Sequence, residues 1–272
     1  MGERMGSGSM VTSRYESKYL ISVEKAALIR DYISPLCSPD SHAGADGRYV
    51  VNNLYFDTPD LRFYCDTKFR KVNRFKPRVR YYGDDPSGLL WLELKHKMKN
   101  VTWKTRRSIQ AKEWGTLFER WGEESDGCLR TSLRDSFEGA VLRYGAAPVV
   151  HVRYVREPYV SEIENYCRIT FDRYLSYRLT GGSYELTSPD RFRLYDDAVT
   201  ASLNDEDSLV LLEIKTETDV PFWVMHMVQC FELQQRGFSK YCYSIDSCRE
   251  GAAIFHRTSA FCGRGQHAAV NI

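Results

Sequence analysis

Seven stretches of the chain repeat a polar or charged side chain at every second position. They are Arg14-Glu16-Lys18, Lys76-Arg78-Arg80, Glu93-Lys95-Lys97, Lys104-Arg106, Tyr154-Arg156, Arg168-Thr170-Asp172 and Glu213-Lys215-Glu217. A period of two puts those groups on one face of a β-strand and the residues between them on the other. The intervening positions hold Tyr15, Tyr19, Val79, Tyr81, Leu92, Leu94, Trp103, Ile169, Phe171, Leu212 and Ile214. One face therefore packs outward and a mostly basic face looks into something else. A single antiparallel strand with a watery face gives the same alternation. The sign of the charge separates the two readings, because a solvated face usually opposes unlike charges across strands. Here Lys18, Arg78, Arg80, Lys95, Lys97, Lys104, Arg106, Arg156, Arg168 and Lys240 are set against Glu16, Glu93 and Glu213 alone. That is an excess of seven positive charges in a chain whose net charge is +2. Like charges about 4 Å apart repel by roughly 4 kcal/mol at an effective dielectric near 20. Such a concentration predicts an anion, phosphate or similar, to fill it.

A site of Lys and Arg with two or three carboxylates suits phosphoryl transfer, whose loose transition state asks the protein mainly to neutralise oxygens and hold an in-line path. Arg supplies bidentate forks and Lys supplies point charges. A divalent ion, Mg²⁺ or Mn²⁺, needs a few carboxylate oxygens. Glu213, within the apolar run Leu211-Leu212-Glu213-Ile214, is the first choice of ligand. Glu16 and Glu93 either join the metal or form ion pairs that orient Lys18 and Lys95. No GxxxxGK[ST] loop, GxGxxG or HExxH is present, and the six histidines are scattered. The eight cysteines form no CxxC pair and read as reduced and buried rather than zinc-bound. The near-neutral balance argues against a general nucleic-acid binder. No apolar run reaches the ~18 residues that cross a membrane, and no signal-peptide pattern is visible, so a cytoplasmic location is expected.

These groups must be held by strands. Strands are expected near 12–21, 49–56, 75–83, 89–97, 101–110, 149–157, 166–173 and 209–217, with a hairpin through 83–88. Ser22 caps a helix to Ile33. Thr58 and Pro59 open a short helix. Further helical segments are expected near 111–121 and 131–144, and from Pro221 to Gln235 with Gly237 closing it. The expected fold is α+β, a closed antiparallel β-barrel tunnel with helices packed outside. Residues 1–10 read as a flexible leader, 11–258 as one domain, and 259–272 as a frayed tail.

Taken in order, Arg14 to Tyr19, Leu54-Tyr55-Phe56-Asp57-Thr58, Arg78-Val79-Arg80-Tyr81, Glu93-Leu94-Lys95, Tyr154-Val155-Arg156, Arg168 to Asp172, Glu213-Ile214-Lys215 and Phe238-Ser239-Lys240-Tyr241 resemble the VTC (vacuolar transporter chaperone) polyphosphate polymerase domain. That family belongs to the triphosphate tunnel metalloenzymes, the CYTH-like group. The resemblance spans about 11 to 250. It implies transfer of the ATP γ-phosphate onto growing inorganic polyphosphate, with a divalent metal, often Mn²⁺. It places Lys18, Arg78, Arg80, Lys95, Lys104, Arg156 and Arg168 around the phosphates, Glu213 at the metal, and Lys240 by the reacting phosphate. The basic residue expected three before Lys240 is replaced by Gly237, leaving Arg236 as its candidate substitute. Lys97 stands where eukaryotic members have His. Hydrolases and cyclases of the same superfamily begin with ExExK, and Arg14 replaces the first of those carboxylates. The remaining alternatives are a triphosphate or polyphosphate hydrolase and a non-catalytic polyphosphate-binding module.

Overall fold

The computed structural model describes residues 15–99, 101–117, 136–164, 166–187, 192–195, 209–217 and 219–250. Arg14, the leader and the tail lie outside them. Ten antiparallel strands form one sheet: β1 (Tyr15–Ile21), β2 (Cys37–Pro39), β3 (Tyr49–Asp57), β4 (Asn73–Tyr82), β5 (Leu89–Met98), β6 (Val101–Gln110), β7 (Ala147–Ser161), β8 (Cys167–Leu179), β9 (Arg193–Leu194) and β10 (Val210–Thr216). The main path runs β1-β10-β8-β7-β3-β4-β5-β6, with β2 beside β7 and β9 beside β8. All eight main strands fall where strands are expected, although β3 is buried at successive residues instead of alternating, and the 83–88 turn joins β4 to β5 as expected, with Gly83 at φ 82°.

Three apolar clusters fix the curl of this sheet. On its convex side, Tyr19, Ile21, Ile169, Phe171, Leu212 and Ile214 pack under helices α1 (Val23–Ile33) and α4 (Phe222–Cys230) through Ala26, Ile29, Ile33, Val224 and Met227. Further along that side, Leu54, Val79, Tyr81, Leu90, Leu92 and Ile109 meet Phe63 of α2 (Arg62–Lys68) and Phe137 and Val141 of α3 (Phe137–Tyr144). Burying each of these large side chains stabilises by about 1.5–3 kcal/mol. The third cluster lies on the concave side. There Val51, Tyr55, Val150, Val152, Tyr154 and Leu211 pack on Tyr241, Cys242, Ile245 and Cys248 of α5 (Lys240–Glu250).

That last helix corrects two expectations. Not every helix packs outside, because α5 sits within the curl. The sheet is also an open half-barrel rather than a closed barrel: among the described residues β1 and β6 do not pair. A closed barrel of eight strands has an interior just wide enough for side chains. Here α5 occupies part of that interior, against β3 and β7.

Local signals explain most boundaries. Ser22 Oγ accepts from the Lys25 backbone N–H at 3.2 Å and starts α1. The start of α2 falls later than Thr58 and Pro59 suggest. Asp57 accepts from the Phe63 and Tyr64 backbone N–H groups, each at 2.8 Å, so a buried carboxylate caps this helix from outside it. Helix α4 ends at Cys230 instead of Gln235, and Glu232 rather than Gly237 takes the left-handed turn, at φ 49°. No helix among the described residues is long and apolar enough to cross a membrane. The described cysteines are all free, with Cys37, Cys167, Cys242 and Cys248 buried.

Candidate functional site

Strand register builds the site row by row, because residues directly opposed across antiparallel strands share a face. Arg78 pairs with Glu93, and Glu93 with Arg106. Lys76 pairs with Lys95, and Lys95 with Lys104, giving three lysines in one line across β4, β5 and β6. On the other limb, Lys18 pairs with Glu213, Glu16 with Lys215, and Arg156 with Asp172. The curl brings the limbs together: Lys95 Nζ on β5 lies 3.1 Å from Glu16 Oε2 on β1. Helix α5 contributes Lys240 at its first residue.

Four carboxylates organise these cations. Glu213 Oε1 lies 3.3 Å from Lys18 Nζ and 3.0 Å from Lys240 Nζ, while its Oε2 lies 3.4 Å from Arg156 and 3.7 Å from Lys215. Asp172 takes a bidentate fork from Arg156 at 2.7 and 2.8 Å and meets Lys240 at 2.6 Å. Glu93, wholly buried, holds Arg78 at 2.7 Å, Arg106 at 3.3 Å and Lys104 at 3.4 Å. Glu16 is shared by Lys18, at 3.2 Å, and Lys95. Burial pushes the Glu213 carboxyl upward, but Lys18, Lys240, Lys215 and Arg156 outweigh it and hold it well below the usual range. Arg78, Arg80 and Lys104 do the same for Glu93.

Arg80 and Lys76 form no ion pair among the described residues, and Lys104 is only partly compensated by Glu93. Among the described residues Arg80 hydrogen-bonds neutral groups: Asn53 Oδ1 at 2.8 Å, Tyr154 Oη at 3.4 Å, and Tyr82. Lys76 Nζ donates to Ser239 Oγ at 3.2 Å. Burial, with Lys95, Lys18 and Arg78 nearby, brings Lys76 down to about 7. Burial also lowers Lys104 to about 8 against the pull of Glu93, with Arg78, Arg80 and Arg106 adding to the fall. Aromatic faces support the cluster: Arg106 stacks 3.5 Å over Trp91, and Lys240 lies 4.6 Å from the Tyr154 ring centre.

Of the residues singled out by periodicity, Lys18, Arg78, Arg80, Lys95, Lys104, Arg106, Arg156 and Lys240 converge with Glu16, Glu93 and Glu213. Lys97 stands at the rim, opposite Arg74. Arg168 is drawn to the rim by an ion pair with the buried Asp40, which follows β2. Arg236 does not bring its side chain inward; its backbone N–H donates to the Lys18 carbonyl and its side chain is exposed. The sequence reading assigned no role to Lys76, Lys215 or Asp172. All three sit in phase with recognised neighbours, and that phase was the available signal. Among the described residues ten cations thus face four carboxylates, an arrangement able to bind and align a chain of phosphates.

The donor set for a divalent ion can be judged from the carboxylates. Among the described residues no group of three His, Cys, Asp or Glu side chains gathers as a metal site. Glu16 and Glu213 nevertheless share one cation, the Lys18 ammonium, at 3.2 and 3.3 Å. Two carboxylates within reach of one positive centre fit the mode in which Mg²⁺ takes one or two protein oxygens and completes its shell with water and substrate phosphate.

The VTC domain family model matches residues 13–249. No curated protein matches the chain. Among solved structures, a Hippeastrum candidate adenylyl cyclase described as having a dominant triphosphatase activity is similar at a TM-score of 0.47 and 16% identity, over 85% of this chain and 95% of that one. A candidate adenylate cyclase from Bacillus halodurans gives a TM-score of 0.45 and 14% identity over 84% and 95% of the two chains. A Pyrococcus horikoshii protein gives 0.39 and 13% over 86% and 99%.

Proposed function

The chain belongs to the VTC domain family, and on that premise we propose that it is a polyphosphate polymerase, transferring the γ-phosphate of ATP onto a growing inorganic polyphosphate chain within the basic lumen. The observation that carries this reading is the excess of cations over carboxylates on one concave face, with Lys76, Lys95 and Lys104 aligned in register.

The attacking atom is a terminal oxygen of the chain. Its bond to the γ-phosphorus forms as the bond from that phosphorus to the β-bridging oxygen breaks, and ADP leaves with the electron pair. No protein nucleophile is needed, so the residues act by neutralising and aligning oxygens. Arg78 and Arg80 present forks from one strand, held by Glu93 and Asn53. Arg156 and Lys240, fixed by Asp172 and Glu213, present charge from the opposite limb. The Lys240 ammonium, where both carboxylates meet, is placed to steady the reacting phosphate. Glu213 and Glu16 would hold a Mn²⁺ or Mg²⁺ ion, which would neutralise charge developing on the leaving phosphate oxygens.

Purified protein given ATP and Mn²⁺ is expected to make polymer that an exopolyphosphatase digests. Orthophosphate as the sole product would replace this reading with a triphosphate hydrolase. Tight polyphosphate binding without turnover would replace it with a binding module. Glu213→Gln is expected to abolish turnover while polyphosphate affinity is kept, because the substitution removes a negative charge from among four cations.

A further inference from the structure

Gly237 has no side chain, and a Cβ there would stand 3.2 Å from the Arg70 guanidinium Nη2. The tip of the exposed Arg70 side chain therefore rests against Gly237, three residues before α5 begins. Arg70 follows α2 in left-handed backbone, at φ 53°, where helices most often end in glycine. A long cationic side chain is thus held at a position whose backbone favours no side chain at all. Two further cations lie beside it. Arg74 and Lys97 oppose each other directly across β4 and β5, a like-charge pair that disfavours folding by itself. Among the described residues neither Arg70, Arg74 nor Lys97 forms an ion pair; Arg74 Nη1 donates to the Lys71 carbonyl at 2.5 Å. Burial lowers the Lys97 ammonium, and Arg74, Lys18 and Arg70 add to the fall while Glu16 opposes it. One electrostatic field therefore joins this rim to the Lys18–Glu16 end of the lumen.

We propose that Arg70, Arg74 and Lys97 form an outer anion subsite, with Gly237 left bare to admit Arg70, that grips the phosphates of a polyphosphate chain running out of the lumen. The inference rests on the lumen's being a polyphosphate site, as proposed above. It adds a chain-length preference, since a short anion seated deep among Arg78, Arg80 and Lys240 does not reach the rim.

Calorimetric titration of the full chain with tripolyphosphate and with long-chain inorganic polyphosphate separates the two readings. Arg70→Asn removes the charge and suits left-handed backbone. Gly237→Val adds bulk against the guanidinium tip, which a Cβ alone would already meet at 3.2 Å, and displaces it. Each is expected to weaken long-chain binding about tenfold, the loss of one charge-assisted contact. The two together should lose no more than either alone. Tripolyphosphate affinity should stay within about twofold, since its contacts lie in the lumen. Gly237→Lys in the Arg70→Asn background should recover most of the long-chain affinity by returning an ammonium to the same place. Equal weakening of both ligands, unchanged long-chain affinity, or absence of that rescue would overturn the rim subsite and leave the lumen reading standing. A wild-type protein that binds neither anion would overturn both.

Discussion

Lys76 has cations for neighbours, Lys95, Lys18 and Arg78, with Cys242 beside it and Ser239 Oγ as its hydrogen-bond partner. Burial foremost, then those charges, lowers it to about 7. Unfolded, the same amine stays protonated to about 10.4. Between those values the unfolded chain binds the additional proton, so stability of the free protein rises with pH across that window. A bound polyanion reverses the balance, because phosphate favours the charged amine. Tripolyphosphate is thus expected to take up a proton on binding at about pH 8, and its affinity to fall as pH climbs further. Titration calorimetry in buffers of unequal ionisation enthalpy measures the uptake. Lys76→Met should remove the larger share, with Lys104, Lys95, Lys215 and Lys97, all lowered by burial, supplying the rest. Uptake that persists in full in that variant would refute the assignment. Much of this site was legible one side chain at a time, because Arg78, Arg80, Lys95 and Glu213 announce their face by alternation. Asp172 went unassigned although it keeps the phase of Arg168 and Thr170. Arg168 could not be placed from its own strand, since its partner Asp40 belongs to a loop that no periodicity marks.

Asp57, the last residue of β3, ties two helices to the sheet. Its Oδ1 accepts from Phe63 and Thr58 backbone N–H groups, and its Oδ2 from Tyr64 N–H and the Tyr241 hydroxyl of α5. A carboxylate can accept all of these at once, whereas an amide offers one oxygen and turns donors toward donors. Asp57→Asn is therefore expected to lower stability by about 1–3 kcal/mol, read as a fall in the urea midpoint with little change in slope. An unaltered midpoint would mean that α5 is held without this tie. Strands are easier to read than helices, since period two marks seven of the eight main ones; the short β2 and β9 carry no such signal. Helix α5 went unread although Tyr241, Ile245 and Cys248 stand at i, i+4 and i+7. Its polar residues between, Ser244 and Ser247 among them, are buried too, so the apolar stripe carries little contrast. The start of α2 is not legible locally for a related reason: its cap is a strand residue brought close by folding, and Thr58 offers a nearer local signal.

Closure of the sheet was beyond the reach of alternation, which reports faces but not which distant edges meet. Whether β1 and β6 join depends on what fills the concavity, and α5 fills part of it. Among the described residues the remaining part collects ten cations around four carboxylates, so the free protein carries unrelieved repulsion that an anion of matching length relieves. On the proposed reading this predicts stabilisation by linkage, since a ligand that binds the assembled lumen in preference to the unfolded chain shifts the balance toward the fold. At a hundred times its dissociation constant the gain is about 2.7 kcal/mol. For a chain of this size each kcal/mol raises the melting temperature by about 2–4 °C, so an upward shift of roughly 5–10 °C is expected. Orthophosphate at equal ionic strength should shift it far less, since one phosphate cannot span both limbs of the curl. Raising salt at fixed tripolyphosphate should erode the shift, as screening weakens each of the contacts together. A melting curve indifferent to tripolyphosphate would mean that the limbs do not act on one ligand. The convergence of Lys95 on Glu16, and of Arg156 and Lys240 on Asp172, would then be an internal ion-pair network and nothing more.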